Sequence, residues 1–214
     1  MRGCICAAAL AVTPWFVWTL WGERLPVAGE DGLTPPPHER PEKMRIWRYM
    51  VIHHSGSSVG NEEIIEAGHI QRGMENGMAY HFLIGNGSAR LGDGKVAEGR
   101  RWKQQLQGGH SHQDCLNEHG IGICLVGDVN RKEPTAQQLQ SLASLVLKLQ
   151  ARFHIPDDDI HGHGEFYGED TDCPGRRFPW RAFWSRVDAL YQGQSHVSAI
   201  LAAPDPGADR SSAP

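Results

Sequence analysis

Apolar residues along the chain recur in two periods. Trp47, Tyr49, Met50, Val51 and Ile52 form a short apolar run that ends at His53 and His54 and opens into Ser55 and Gly56. Such a run reads as a buried strand that carries an imidazole to an open rim. Successive side chains of a strand point to opposite faces, so only one of His53 and His54 faces a given site. Tyr80 to Ile84 and Ile121 to Val126 read as further buried strands, and 95–98 as a return strand after the glycine-rich turns of 85–94. A short strand is expected at 159–163. Helical spacing appears in three places. Asn61 reads as an N-cap with Glu62 and Glu63 in the first turn, which predicts a helix over 61–74. Thr135 and Gln138 resemble a capping box before the stripe Leu139, Leu142, Ala143, Val146, Leu149 and Phe153, and Pro156 ends that helix. Trp180, Phe183, Trp184, Val187 and Leu190 mark a last helix over 179–191. Strands and helices mix irregularly, which predicts an α/β domain with a mixed central β-sheet flanked by helices.

The 214 residues suffice for one domain with tails. Arg2, the apolar stretch from Cys4 to Trp21 and the small residues Val27, Ala28 and Gly29 resemble an export signal over 1–29, cleaved or retained as an anchor. A start at Met44 is the rival reading. Residues 30–43, with Pro35, Pro36, Pro37 and Pro41, read as a stiff linker, 44–191 as the folded domain and 192–214 as a disordered tail. The expected location is the periplasm or cell envelope, secreted or anchored, with membrane contact only through the N-terminal segment. The net charge of −4, with scattered lysines and arginines, gives no footing for nucleic acid. A monomer is expected. The five cysteines make no disulfide framework. Cys124 lies in an apolar strand and reads as a small buried residue.

Twelve histidines are more than packing needs, although any one of them is weak as a ligand. Clustering at strand ends beside glycine raises the case. His161 and His163 lie two apart, so within a strand both face one side and spacing does not choose between them. Cys173 stands in a Cys-Pro-Gly turn that can hold a thiolate. Two histidines and one cysteine from distant segments suit a zinc ion with an open fourth position, whereas structural zinc sites are closed by four ligands. Arg101 and Trp102, after the hairpin, are candidates to meet carboxylates or a sugar face, with a solvated charge beside a core tryptophan as the equal alternative.

Several motifs in order resemble the zinc-dependent N-acetylmuramoyl-L-alanine amidases, the type shared by phage amidase lysozymes and peptidoglycan recognition proteins. They are Val51-Ile52-His53-His54-Ser55, Tyr80-His81-Phe82-Leu83-Ile84, Gly109-His110, Ile121 to Gly127, Gly162-His163-Gly164-Glu165 and Thr171-Asp172-Cys173-Pro174-Gly175. The resemblance runs from about residue 47 to residue 184. It implies an amidase-like fold, one zinc ion held by His53, His163 and Cys173, and His54 and His161 as neighbours. It implies that Tyr80 hydrogen-bonds the water at the zinc and that Thr171 assists. The implied reaction is hydrolysis of the amide between N-acetylmuramoyl groups and L-alanine in peptidoglycan or muropeptides. His54, His81, Arg101, Trp102 and His110 are the candidate substrate-binding side chains, with His81 and His110 also candidates to protonate the departing amine. Relatives of this type in the cytosol carry Asp at the Cys173 position and a Glu base at the Cys124 position, so no carboxylate base stands there in this chain. The disulfide typical of the animal recognition proteins has no cysteines here. The alternative is a recognition module that binds peptidoglycan without cutting it.

Overall fold

In the computed structural model the described residues are 45–202, with side chains described for 45–193. The export segment and linker expected over 1–43 lie outside the described residues, as does 203–214. The sequence of elements is β1 (Tyr49–His54), α1 (Glu62–Gln71), β2 (Phe82–Ile84), β3 (Val96–Glu98), α2 (Arg100–Lys103), α3 (Asp114–His119), β4 (Gly120–Leu125), α4 (Ala136–Phe153), β5 (Ile160–Gly162) and α5 (Trp180–Ala202). Five strands form one sheet in the order β3-β2-β4-β1-β5. The pairs β1–β4, β1–β5 and β2–β4 are parallel and β2–β3 is antiparallel, so the sheet is mixed, as its sequence predicts.

Alternation along β1 sorts the core. Met50 and Ile52 join Ile121, Ile123, Leu125, Phe82 and Ile84 on one face, beneath the apolar stripes of α4 and α5. Cys124 and Leu83 point the other way, into a smaller cluster with Met78 and Val126 that Tyr80 and Ile65 pack against. His53 pairs in register with Cys124, and Ile52 with Gly162, the last residue of β5. Parallel strands therefore bring His53, Cys124 and the residue after β5, His163, to one rim. Rims at the carboxyl ends of parallel strands are where open α/β sheets place ligands.

The capping box on α4 is present: Thr135 Oγ1 accepts from Gln138 N at 3.0 Å, and Gln138 Oε1 accepts from Thr135 N at 3.1 Å. Gln138 is buried and its Nε2 also donates to Ile84 O and Val126 O, tying the helix start to the sheet. Two results differ from expectation. The short helices α2 and α3 were not foreseen, because four and six residues are too few for a periodic stripe. The helix α5 runs to Ala202, not to Tyr191. The added stretch holds no proline, the first after it being Pro204, so the composition of the whole 192–214 segment concealed its helical first half.

Trp102 corrects an expectation. It is fully buried, with its ring centroid 4.6 Å from Phe82, 5.9 Å from Phe153 and 6.2 Å from Trp47. A side chain so enclosed presents no surface to a ligand. Trp102→Ala is expected to cost about 3–5 kcal/mol of stability by leaving a cavity. Chemical denaturation checks this, and a loss under about 1 kcal/mol would contradict its place in the core.

Candidate metal centre

His53 ends β1 and is buried. The orientation of its ring follows from its neighbours. His110 Nε2 lies 3.2 Å from Gly120 O, which only accepts, so the His110 proton sits on Nε2. His110 Nδ1 is then an acceptor, 3.3 Å from His53 Nε2, which donates to it. That leaves His53 Nδ1 bare, and it faces Cys173 Sγ at 3.5 Å. His163 follows by the same logic. Its Nε2 lies 2.9 Å from a carboxylate oxygen of Glu169, so Nε2 carries the proton and Nδ1 is bare. Cys173 Sγ accepts from the backbone N–H of His54 at 3.4 Å. One ligand atom from each of His53, His163 and Cys173 lies within 4.8 Å of the others.

The loop that carries Cys173 passes close against β5. Gly164 N donates to Cys173 O at 2.7 Å, and a Cβ on Gly162 or Gly164 would collide with Pro174 or with the Thr171 carbonyl. Glycines on both sides of His163 are what let the thiol approach it. Thr171 is exposed, and its Oγ1 accepts from Cys173 N at 3.2 Å, which holds the turn. Tyr80 is half-buried, with its ring 5.0 Å from that of His53, and it packs against the cluster that holds Cys124.

Burial, with the imidazoles of His110 and His163 nearby, holds His53 well below the usual histidine range. Burial lowers His163 as well, against the pull of Glu169. Burial pushes the Cys173 thiol up to about 12, opposed by the His54 N–H. The donor set is therefore two neutral imidazoles and a thiol that gives up its proton only to a cation. Nitrogen and sulfur donors of this kind suit zinc or a similar borderline metal. Zn–N near 2.0 Å and Zn–S near 2.3 Å at a tetrahedral angle put the two donors about 3.5 Å apart, and His53 Nδ1 and Cys173 Sγ are separated by 3.5 Å. The residues present fit the ion.

The structure corrects three of the candidate substrate contacts besides Trp102. His81 is fully buried, its Nδ1 accepting from Gly122 N and its Nε2 donating to Leu106 O. Arg101 is buried and spends its guanidinium on the carbonyls of Met78 and Gln107. His110 spends one nitrogen on His53 and the other on the Gly120 carbonyl, so it orients a candidate ligand and has no free nitrogen for a leaving amine. Buried carbonyls and amides need partners, and these side chains supply them. His54, on the opposite face of β1, is half-buried and its Nδ1 accepts from Val129 N at 2.9 Å. The sequence reading missed Glu169. It singled out Glu165 in the motif after His163, but Glu165 turns back to accept from Gly162 N at 2.6 Å. Glu169 sits six residues after His163, and no local pattern marks that distance as a contact.

A family model described as N-acetylmuramoyl-L-alanine amidase matches residues 42–176. The chain belongs to the N-acetylmuramoyl-L-alanine amidase family. The match takes in all three candidate ligands of this family member. Peptidoglycan-recognition protein LB of Drosophila melanogaster is 28% identical over 168 residues, covering 73% of this chain. The chain spans 62% of that relative's length. Among solved structures, the amidase LysC from Clostridium intestinale superposes with a TM-score of 0.56 at 28% identity, covering 67% of this chain and 87% of that one. Peptidoglycan recognition protein LE, solved in complex with tracheal cytotoxin, gives 0.52 at 28% identity, covering 70% of this chain and 87% of that one. The amidase fold expected from the motifs is the fold observed.

Proposed function

We propose that this family member is a zinc-dependent N-acetylmuramoyl-L-alanine amidase, hydrolysing the amide between N-acetylmuramoyl groups and L-alanine in peptidoglycan or muropeptides. The observation that carries the proposal is the convergence of two neutral imidazoles and one thiol at the open rim of the sheet. His53 Nδ1, His163 Nδ1 and Cys173 Sγ would hold the ion. Three protein ligands leave a position for water, which is the catalytic rather than the structural pattern. When bound, zinc supplies an activated water near neutral pH and polarises the scissile carbonyl. Tyr80, whose ring lies 5.0 Å from that of His53, would act as a donor to the oxygen that gains charge. Burial raises its pKa well above the usual tyrosine range, so it keeps its proton. The Cys124 thiol is also raised by burial and offers no base. Thr171 assists by holding the Cys173 turn. We propose further that residues 1–29, which resemble an export signal, carry the chain to the cell envelope.

The deciding experiment is peptide release from purified peptidoglycan by the purified chain, with and without a zinc chelator, followed by mass. Stem peptides that begin with L-alanine, lost on chelation and restored by zinc, support the amidase. Both recognition proteins named above are relatives, and the LE protein is solved with a peptidoglycan fragment, which supports the alternative of binding alone. Zinc-loaded protein that binds peptidoglycan and releases nothing would select that alternative. Tyr80→Phe is expected to lower kcat roughly 100-fold while zinc content stays unchanged. Equal turnover by Tyr80→Phe and wild type would remove Tyr80 from the reaction.

A further inference from the structure

Glu169 is a buried carboxylate that the amidase reaction does not use, and it lies against a candidate zinc ligand. Its side chain is fully buried. Its two oxygens divide their partners. Oε2 lies 2.9 Å from His163 Nε2. Oε1 accepts from Ser111 Oγ and, at 3.0 Å, from the backbone N–H of His112. A second bond joins the same two loops, from Gln113 Nε2 to Tyr167 O at 2.8 Å. The loop between His163 and Cys173 is thereby clamped to residues 111–113, next to His110, which orients the other imidazole ligand.

We propose that Glu169 is a positioning residue, which fixes His163 with its proton on Nε2 and its bare Nδ1 at the metal, and locks that ring to the Ser111–His112 loop. The inference rests on the zinc reading above. Its warrant is geometric. An imidazole has two nitrogens, and only an acceptor on one of them assigns the other to the metal. Among the described hydrogen bonds of the His163 ring, Glu169 is that acceptor. A buried carboxylate with only one oxygen occupied would be costly, and the two donors from 111–112 remove that cost.

The test is zinc affinity of the full chain, measured by competition with a chromophoric chelator, for wild type, Glu169→Ala and Glu169→Gln. Loss of an outer partner of a ligating histidine weakens metal binding by about 10–100-fold, and that is the loss expected for Glu169→Ala. Glu169→Gln keeps a neutral acceptor for the Nε2 proton but gives up the charge, and is expected to lose a measurable factor of about two to ten. Thermal unfolding of the zinc-free proteins separates a structural role. A lowered Tm with unchanged zinc affinity would overturn the positioning role, as would wild-type affinity in Glu169→Ala. Should Glu169→Ala fail to fold, Glu169→Gln decides: an affinity loss in a folded protein supports the role, and none overturns it. A wild-type chain that binds no zinc would overturn this inference and the zinc reading together, whereas wild-type binding with unaltered variants overturns this inference alone.

Discussion

Cys173→Ser is expected to abolish zinc binding and peptide release together. Of the three candidate ligands Cys173 is the one that would become anionic, since His53 and His163 would ligate as neutral rings. Its thiol is buried, faces His53 Nδ1 at 3.5 Å and accepts the His54 N–H. Serine has nearly the same volume, so the fold is retained, but its hydroxyl does not ionise under these conditions. The expected loss of zinc affinity exceeds the roughly 100-fold ceiling for outer-sphere changes, and peptide release falls to background. Zinc titration and the release assay on one preparation check both. Stoichiometric zinc with wild-type release in Cys173→Ser would sink the zinc centre. The thiol adds a pH signature. With its proton held up to about 12, it releases that proton on zinc binding, so affinity rises about tenfold per pH unit through neutrality.

Acidification is expected to destabilise the zinc-free protein steeply below about pH 6.5. Burial lowers His69 and His110 to about 4 and places His53 and His81 well below the usual value. These rings are locked as neutral acceptors and donors: His69 Nδ1, for example, accepts from Ala79 N at 2.8 Å. Folded values lie below the unfolded value near 6.5, so the unfolded chain takes up protons first. The stability these groups contribute is whole above about pH 6.5, drains as pH falls toward about 4 and is gone below that. A shift of this size corresponds to at most about 3 kcal/mol for each of His69 and His110. Together they predict a fall in Tm of more than about 10 °C between pH 7 and pH 4, read in a chelating buffer. A Tm that stays level over that range would mean that these imidazoles are not held neutral.

Much of the fold was legible in the chain because its signals are local. The capping box at Thr135 and Gln138, the stripe of α4, the N-cap at Asn61 and the apolar run into His53 all act between residues a few positions apart. The candidate ligands were legible through the resemblance, which the family match supports. Spacing alone did not separate His161 from His163. Tertiary pairing does so: β5 stops at Gly162, so the two histidines do not share one strand face. His161 turns to the Asp158 carbonyl at 2.7 Å, while His163 begins the next turn at the rim. Trp102 illustrates the opposite error. Between Arg101 and Lys103 it looks like a surface residue, yet the sheet and α4 enclose it.

By itself the sequence determined where strands and helices start, which faces are apolar and which residue types were available for chemistry. Those depend on side-chain period, caps and turn residues, all settled within one or two turns of chain. Only the tertiary structure decided partners: which nitrogen of His53 is bare, that Glu169 and not Glu165 holds His163, and that Arg101 and His81 serve backbone groups. His53 and Cys173 are 120 positions apart, and His163 reaches the rim only because β5 pairs with β1. Contacts of that range are set by packing of the whole sheet, and no periodicity along the chain encodes them.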